Sequence, residues 1–309
     1  MTASSTGVKV KSGRQSGVAL IQVLLIGSVI SLLAIRFTET ARDQLEMATQ
    51  LDLRVMAELK AYSVQNEVVF LHLSDVVTPT SLSGGAAAIY LPPRTSLNRY
   101  GLPISWADGV LVEIQDLNGV LPHLYPDHIF WERLLYQASV DGSDIERYIG
   151  VWSDMQDPDW DTWNSEGEEP VANASGGSFV NGYAQNDKIV RWVFADRPEL
   201  LSLVLNASDV NASYEMNIYN APALLLEAIL EPDMARMIIS DRKDGGSPSL
   251  SARQLLLDEF PNEGISMHNS NRLKISVTIN LPSGSWVQSQ TVYLNALSTP
   301  PFVSIEKRG

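Results

Sequence analysis

From Val18 to Ile35 the chain has no charged residue, and Arg36 ends the run. As a helix these eighteen residues span about 27 Å, close to the roughly 30 Å of a bilayer core. Beyond Arg36 the pattern changes, but nothing breaks the helix. Residues 37–63, FTETARDQLEMATQLDLRVMAELKAYS, contain no Pro and no Gly. Ala41, Leu45, Ala48, Leu51, Val55 and Leu59 recur at steps of three and four, which draws one apolar stripe between polar faces. The spacing predicts a single rod from Val18 to at least Ala61, about 66 Å long, with residues 66–73 finishing it.

The remainder alternates in character. Residues 78–103 are rich in Pro, Gly and Ser and read as a loop. Residues 105–125 read as a hairpin or short ladder, with Val110, Val112 and Ile114 on one face and a D-L-N-G turn at 116–119. Helical spacing then dominates over 130–139, 143–155, 198–208, 220–243 and 251–260. Strand patterns close the chain at 272–281, 286–296 and 300–308, with the turn PSGS after the first. These elements predict an α+β fold, in which a helical block interrupts a sheet laid against the long helix. No internal repeat and no low-complexity tract is evident.

Charge and composition narrow the function. A net charge of −14 and a pI near 4.7 exclude a nucleic-acid partner, because phosphate contacts need clustered Lys and Arg. The chain has no cysteine, which removes disulfides, thiolate metal sites and cysteine nucleophiles. Lys9, Lys11 and Arg14 precede the apolar run, which by the positive-inside rule leaves the N-terminus cytoplasmic and the bulk exported. An ordinary secretory signal would end in a small-x-small cleavage site, and LLAIRFTET offers none. An uncleaved signal anchor is a second reading.

A third reading comes from residues 14–25, RQSGVALIQVLL. A short basic leader ending in Gly, an apolar helix starting at once, and an amphipathic continuation resemble the prepilins of type IV pili and type II secretion. The resemblance implies that a prepilin peptidase cuts on the cytoplasmic side between Gly17 and Val18, and that Val18 is then N-methylated. Most members have Glu at the fifth mature position, where it pairs with the N-terminal ammonium of a neighbouring subunit. Here Gln22 stands there, a departure that resembles the protein K family of minor pseudopilins, found at the tip of the type II pseudopilus. IQDLNGVLPHL, with Asp116 and Gly119, is similar to that family's strand–turn signature. MNIYNAPALLLEAIL is similar to its pattern of a short Asn-rich strand leading into a leucine-rich helix. Asn217 and Asn220 fit that pattern, whereas Tyr219 is bulkier than it expects.

The resemblance implies a type IV pilin-like fold with a large inserted α-helical domain. Its expected parts are the leader (1–17), the transmembrane part of the helix (18–36) and the exported amphipathic part (37–73). A first β part (74–124), the inserted helical domain (125–262) and a C-terminal β part (263–309) follow. It implies a non-enzymatic protein of the inner membrane and then of the pseudopilus tip, where it supports pseudopilus assembly and protein export. Its partners would be other minor pseudopilins, the prepilin peptidase and inner-membrane lipid, with helices packing along Leu45, Leu51 and Val55. A minor pilin of a type IV pilus and a signal-anchored periplasmic hydrolase are the alternatives.

One segment concentrates ionisable chemistry. Asp154, Asp157, Asp159, Asp161, Glu166, Glu168 and Glu169 crowd into SDMQDPDWDTWNSEGEEP, and no Lys or Arg occurs between Arg147 and Lys188. Numbered from Asp157, carboxylates fall at positions 1, 3, 5 and 12 of an EF-hand pattern, but Thr162 occupies the place that wants Gly. A solvated acidic loop and an irregular Ca²⁺ site are the two readings, and some members of the resembled family hold calcium in the inserted domain. His123 and His128, with Asp127 between them, give a weak zinc pattern. No nucleophile elbow, P-loop or H-E-x-x-H is present, so no catalytic residue is assigned.

Overall fold

The computed structural model describes residues 16–74, 81–82, 97–126, 128–156, 182–243, 250–260 and 264–308. Helix α1 runs unbroken from Ser16 to Ser74, over 59 residues. Residues up to Met56 form one compact unit and Ala57 onward a second. The described part of the first unit is helix alone.

The second unit is built on a five-stranded antiparallel sheet. Its strands are β3 (Ile104–Ala107), β4 (Val110–Asp116), β7 (Arg272–Leu281), β8 (Gly284–Leu294) and β9 (Phe302–Arg308), in the order β3-β4-β7-β8-β9. Two minor strands, β1 (Ser81–Leu82) and β2 (Leu97–Asn98), pair with each other. The β3–β4 turn uses Gly109 at φ +69°, a conformation glycine adopts without steric cost. Along β4 and β7, alternate residues are buried, as the pleat requires when one face is covered. Val110, Val112, Ile114, Leu273, Ile275, Val277 and Ile279 fill that face. The last turns of α1 cover it with Ala57, Ala61, Val64, Val68 and Leu71. The small side chains of Ala57 and Ala61 let helix backbone approach strand backbone.

Strand β4 pairs with β7 in seven-residue register, Val110 opposite Ile279 and Asp116 opposite Leu273, although a helical block separates them in sequence. That block holds α2 (Ile129–Gln137), α3 (Gly142–Asp154), α4 (Lys188–Val193), α5 (Pro198–Ala207), α6 (Ala223–Ile229), α7 (Pro232–Lys243) and α8 (Leu250–Glu259). A short parallel pair, β5 (Leu121–Pro122) and β6 (Ser208–Asp209), ties its start to the end of α5. It has its own core, centred on Phe130, Trp131, Tyr148, Trp152 and Phe194. Trp131 meets Trp152 edge-on at 4.8 Å, an arrangement favoured by the ring quadrupole. The expected α+β architecture, with its long helix, antiparallel sheet and inserted helices, is therefore present.

Two local expectations need correction. The Asn-rich segment before α6 is not a strand. Met216 makes one isolated bridge to Ile265, and Ile218–Asn220 form a 3₁₀ turn capped by Asn217, whose side chain accepts from Tyr219 N. Asn side chains favour such local backbone bonds over a ladder. Residues 220–243 are also not one helix. Helix α6 stops at Leu230 (φ −113°, ψ 159°), and Pro232, which cannot donate to a preceding turn, begins α7.

Candidate membrane helix and assembly surface

Within the first unit, an 18-residue window of α1 reaches a mean hydropathy of 2.7, and none of it is buried. Val18, Leu20, Ile21, Val23, Leu24 and Leu25 each expose more than 60% of their surface. A soluble protein does not present so long a contiguous apolar surface to water, and by length and composition this helix can cross a membrane. Its polar side chains fit that solvent. Ser28 donates to Leu25 O and Ser31 to Gly27 O, both at 2.8 Å, so these hydroxyls satisfy themselves within the helix.

The expected scissile bond, Gly17–Val18, lies in the first turn of α1. Gln22 is exposed within the apolar run, and no described residue bonds its amide. Past Arg36, Leu45 (69% exposed), Leu51 (63%) and Val55 (45%) stand free on the helix surface.

The face of α1 that packs on the sheet is not the stripe drawn by the sequence. Ala57, Ala61, Val64 and Val68 are buried, whereas Leu59, Tyr62 and Phe70 are exposed. At 100° per residue, Leu51, Val55, Leu59, Tyr62 and Phe70 share one side of the helix, and the buried set lies roughly 160° away. Alternation within α1 therefore encodes two apolar faces, one used inside the chain and one left open.

A second site, missed by sequence reasoning as a cluster, joins the sheet to the helical block. Asp116 ends β4, is fully buried, and pairs with the buried Arg99 at 2.8 Å. Its carboxylate also accepts from Asn118 N (2.9 Å), Ser270 N (3.0 Å) and Asn220 Nδ2 (3.1 Å). Arg99 donates back to Ser270 O at 2.8 Å. Four separate segments thus converge on one ion pair. Gly119 completes the joint, because a Cβ there would lie 2.1 Å from Asn220 O. Burial pushes the Asp116 carboxyl up to about 6, and Arg99 and the three donors pull the other way. Burial, aided by the Arg99 charge, drives His72 down to about 3. The D-L-N-G turn and Asn220 were legible in sequence, but Arg99 sits in a stretch that reads as loop and gives no sign of burial.

Of the acidic residues between 154 and 169, Asp154 ends α3 and is buried, while Asp157, Asp159, Asp161, Glu166, Glu168 and Glu169 lie outside the described residues. The two histidines each have a partner of their own. His123 Nε2 lies 2.8 Å from Ser208 Oγ, and His128 caps α2 by accepting from Phe130 N. Asp127 lies outside the described residues. Among the described residues, no group of three or more His, Asp or Glu is placed to hold a metal.

The chain matches no protein-family model and no curated protein sequence. Among solved structures, it is similar to a chain of the GspK–GspI–GspJ complex of the type 2 secretion system of enterotoxigenic Escherichia coli. The TM-score is 0.48 and the identity 12%, covering 87% of this chain and 98% of that one.

Proposed function

We propose that this chain is a minor pseudopilin of a type II secretion system, of the K type, which acts at the pseudopilus tip with other minor pseudopilins and has no catalytic role. One observation supports this reading above the others. A wholly exposed apolar span runs without a break into a helix whose last turns form the spine of an antiparallel sheet. An enzyme on a membrane anchor needs a flexible linker to reach its substrate, whereas here span and domain share one unbroken helix. Such an element suits a subunit drawn bodily out of the bilayer into a filament. The open stripe through Leu51 and Val55 is the surface for neighbouring helices. Gln22, in place of an acid, suits a subunit with no neighbour above it to neutralise.

Mass analysis of the N-terminus of membrane-extracted protein tests the reading. A start at methylated Val18 is expected, and Gly17→Trp should abolish cleavage while leaving insertion intact. An intact leader would sink it. The acidic segment belongs to the same reading as a Ca²⁺ site. Calcium should raise the melting point relative to chelator, and Asp157→Ala with Asp159→Ala should remove the difference.

A further inference from the structure

The exported part of α1 carries its charge unevenly around the axis. Ten Asp, Glu, Lys and Arg residues lie between Arg36 and Leu73. At 100° per residue, Asp52 sits about 60° to one side of Val55 and Glu58 about 60° to the other. The other eight lie about 100° or more from Val55, and the basic ones, Arg36, Arg42, Arg54 and Lys60, are all among them. The exposed Leu51, Val55 and Leu59 are thus bordered by a carboxylate on each side and by no cation.

Neither carboxylate is engaged within the chain. Asp52 and Glu58 are exposed, and no described residue bonds or pairs with either. The packed side of α1 behaves differently. There Ala57, Ala61, Val64 and Val68 meet the sheet, and the bordering carboxylate, Glu67, accepts from Trp106 Nε1 at 3.2 Å. A carboxylate beside the packed face has its donor inside the chain. Those beside the open face have none.

From this arrangement we infer that the open face receives an exported helix of another subunit, whose own apolar seam is bordered by Lys or Arg, and rejects a second copy of this chain. The inference rests on the minor-pseudopilin reading and names the chemistry of the partner. Helices anchored in one membrane run parallel, and residues bordering the seam of a parallel pair set partner choice. Two copies of this chain would bring the Asp52 border of each against the Glu58 border of the other. The two positions are six residues, or about 9 Å, apart along the axis. That is within the Debye length of about 10 Å at 0.1 M salt, so the carboxylates repel. Lys or Arg on the facing borders turns the same geometry into attraction, which sets specificity more than affinity.

Charge reversal turns the chain into its own probe. Full chains in detergent, labelled for Förster transfer, are compared in three pairings. These are unmodified with unmodified, Asp52→Lys/Glu58→Lys with itself, and one of each. The mixed pairing should associate about fivefold more tightly than either pure one at low salt, because attracting pairs replace repelling ones. The gain should fade as salt rises. Misfolding cannot produce such a gain, and Leu51→Asp in both members should abolish it by breaking the seam. Co-purification with the minor pseudopilins proposed as partners should fall about tenfold in Asp52→Lys/Glu58→Lys. Asp43→Lys/Glu46→Lys makes the same charge change at exposed positions on the far side of the helix and should leave it unchanged. A mixed pairing no tighter than the pure ones, a gain that survives Leu51→Asp, or co-purification indifferent to Asp52→Lys/Glu58→Lys would each overturn the inference. If Leu51→Asp alone still blocks co-purification, the stripe stands as the assembly surface and only the charge assignment fails. If Leu51→Asp is harmless as well, the reading of the stripe falls with it.

Discussion

The two halves of α1 share a helix and a similar share of apolar residues, yet they have opposite fates. Before Met56 the large apolar side chains from Val18 to Val55 are exposed, except Leu53, which is partly covered. After Met56, Ala61, Val68 and Leu71 are completely buried under the sheet. Helix formation is local and does not distinguish the halves. What differs is the partner. The later half finds its partner within the chain, and the earlier half must find it in lipid or in another chain. Even in the later half the open side persists, since Phe70 is 56% exposed two residues from Val68.

The sharpest way to break this comparison is to place one charge on each side of the same turn. Val68→Asp would bury an unpaired carboxylate in the sheet–helix core, at a cost of about 5 kcal/mol or more, enough to unfold an ordinary domain. Phe70→Asp should shift stability by only about 0.5 kcal/mol. Near-UV circular dichroism and thermal melts of the full chain in detergent would show the contrast. Equal damage from both substitutions would mean that the open side is covered after all.

The joint between sheet and helical block gives the next largest effect. Asp116→Ala leaves the Arg99 guanidinium buried without a counter-charge, and breaking a buried pair in this way costs about 3–5 kcal/mol. The paired change Asp116→Ala with Arg99→Met should recover much of that loss, because it removes the stranded charge as well. A double variant no better than the single one would show that the hydrogen bonds to Asn118, Ser270 and Asn220 matter more than the ion pair.

How far these features could be read in advance depended on whether the signal was local. The apolar run, the unbroken helix, the terminal strands and the D-L-N-G turn all declare themselves within a few residues. The pairing of β4 with β7 follows only from the idea that a block has been inserted. Periodicity found the stripe through Leu45, Leu51 and Val55 because its residues are large. It missed the face that packs on the sheet, because Ala57 and Ala61 are small and Gln65 is polar, although Gln65 is buried and donates to Gln288 O at 3.2 Å. Arg99 and His72 were invisible for a related reason. A charged or titratable residue reads as surface until the fold supplies a buried partner.

A smaller effect comes with pH, where His72 and Asp116 oppose each other. His72 has a folded pKa of about 3, below its usual 6.5. Between those values the unfolded chain binds a proton that the folded chain refuses, so falling pH removes stability. Asp116 is raised from 3.8 to about 6. Between those values the folded chain binds the extra proton, so falling pH adds stability. Each slope is about 1.4 kcal/mol per pH unit, and from pH 6 down to about 4 they largely cancel. His72→Gln removes one of them. Relative to the unmutated protein, the variant should gain about 1.4 kcal/mol for each unit of acidification across that window, measured by denaturant melts. A stability difference independent of pH would show that His72 is charged in the folded state or open to water.

The smallest effect on folding carries the most weight for function. Leu51 is 63% exposed, so Leu51→Asp removes no packing inside the chain and should change the melting temperature of the isolated protein within measurement scatter. Its place on the open stripe gives it a different importance once other helices arrive. A seam of Leu45, Leu51 and Val55 excludes water from both partners, and a carboxylate at its middle would be stranded in an apolar contact. Co-purification with the minor pseudopilins proposed as its partners should therefore fall sharply in Leu51→Asp, while Lys60→Ala, at an exposed charged position on the far side of the helix, should leave it unchanged. The two readouts must separate. If Leu51→Asp lowers the melting point of the chain alone, the stripe is an internal surface. If assembly survives Leu51→Asp, the partner helices lie on some other face of α1.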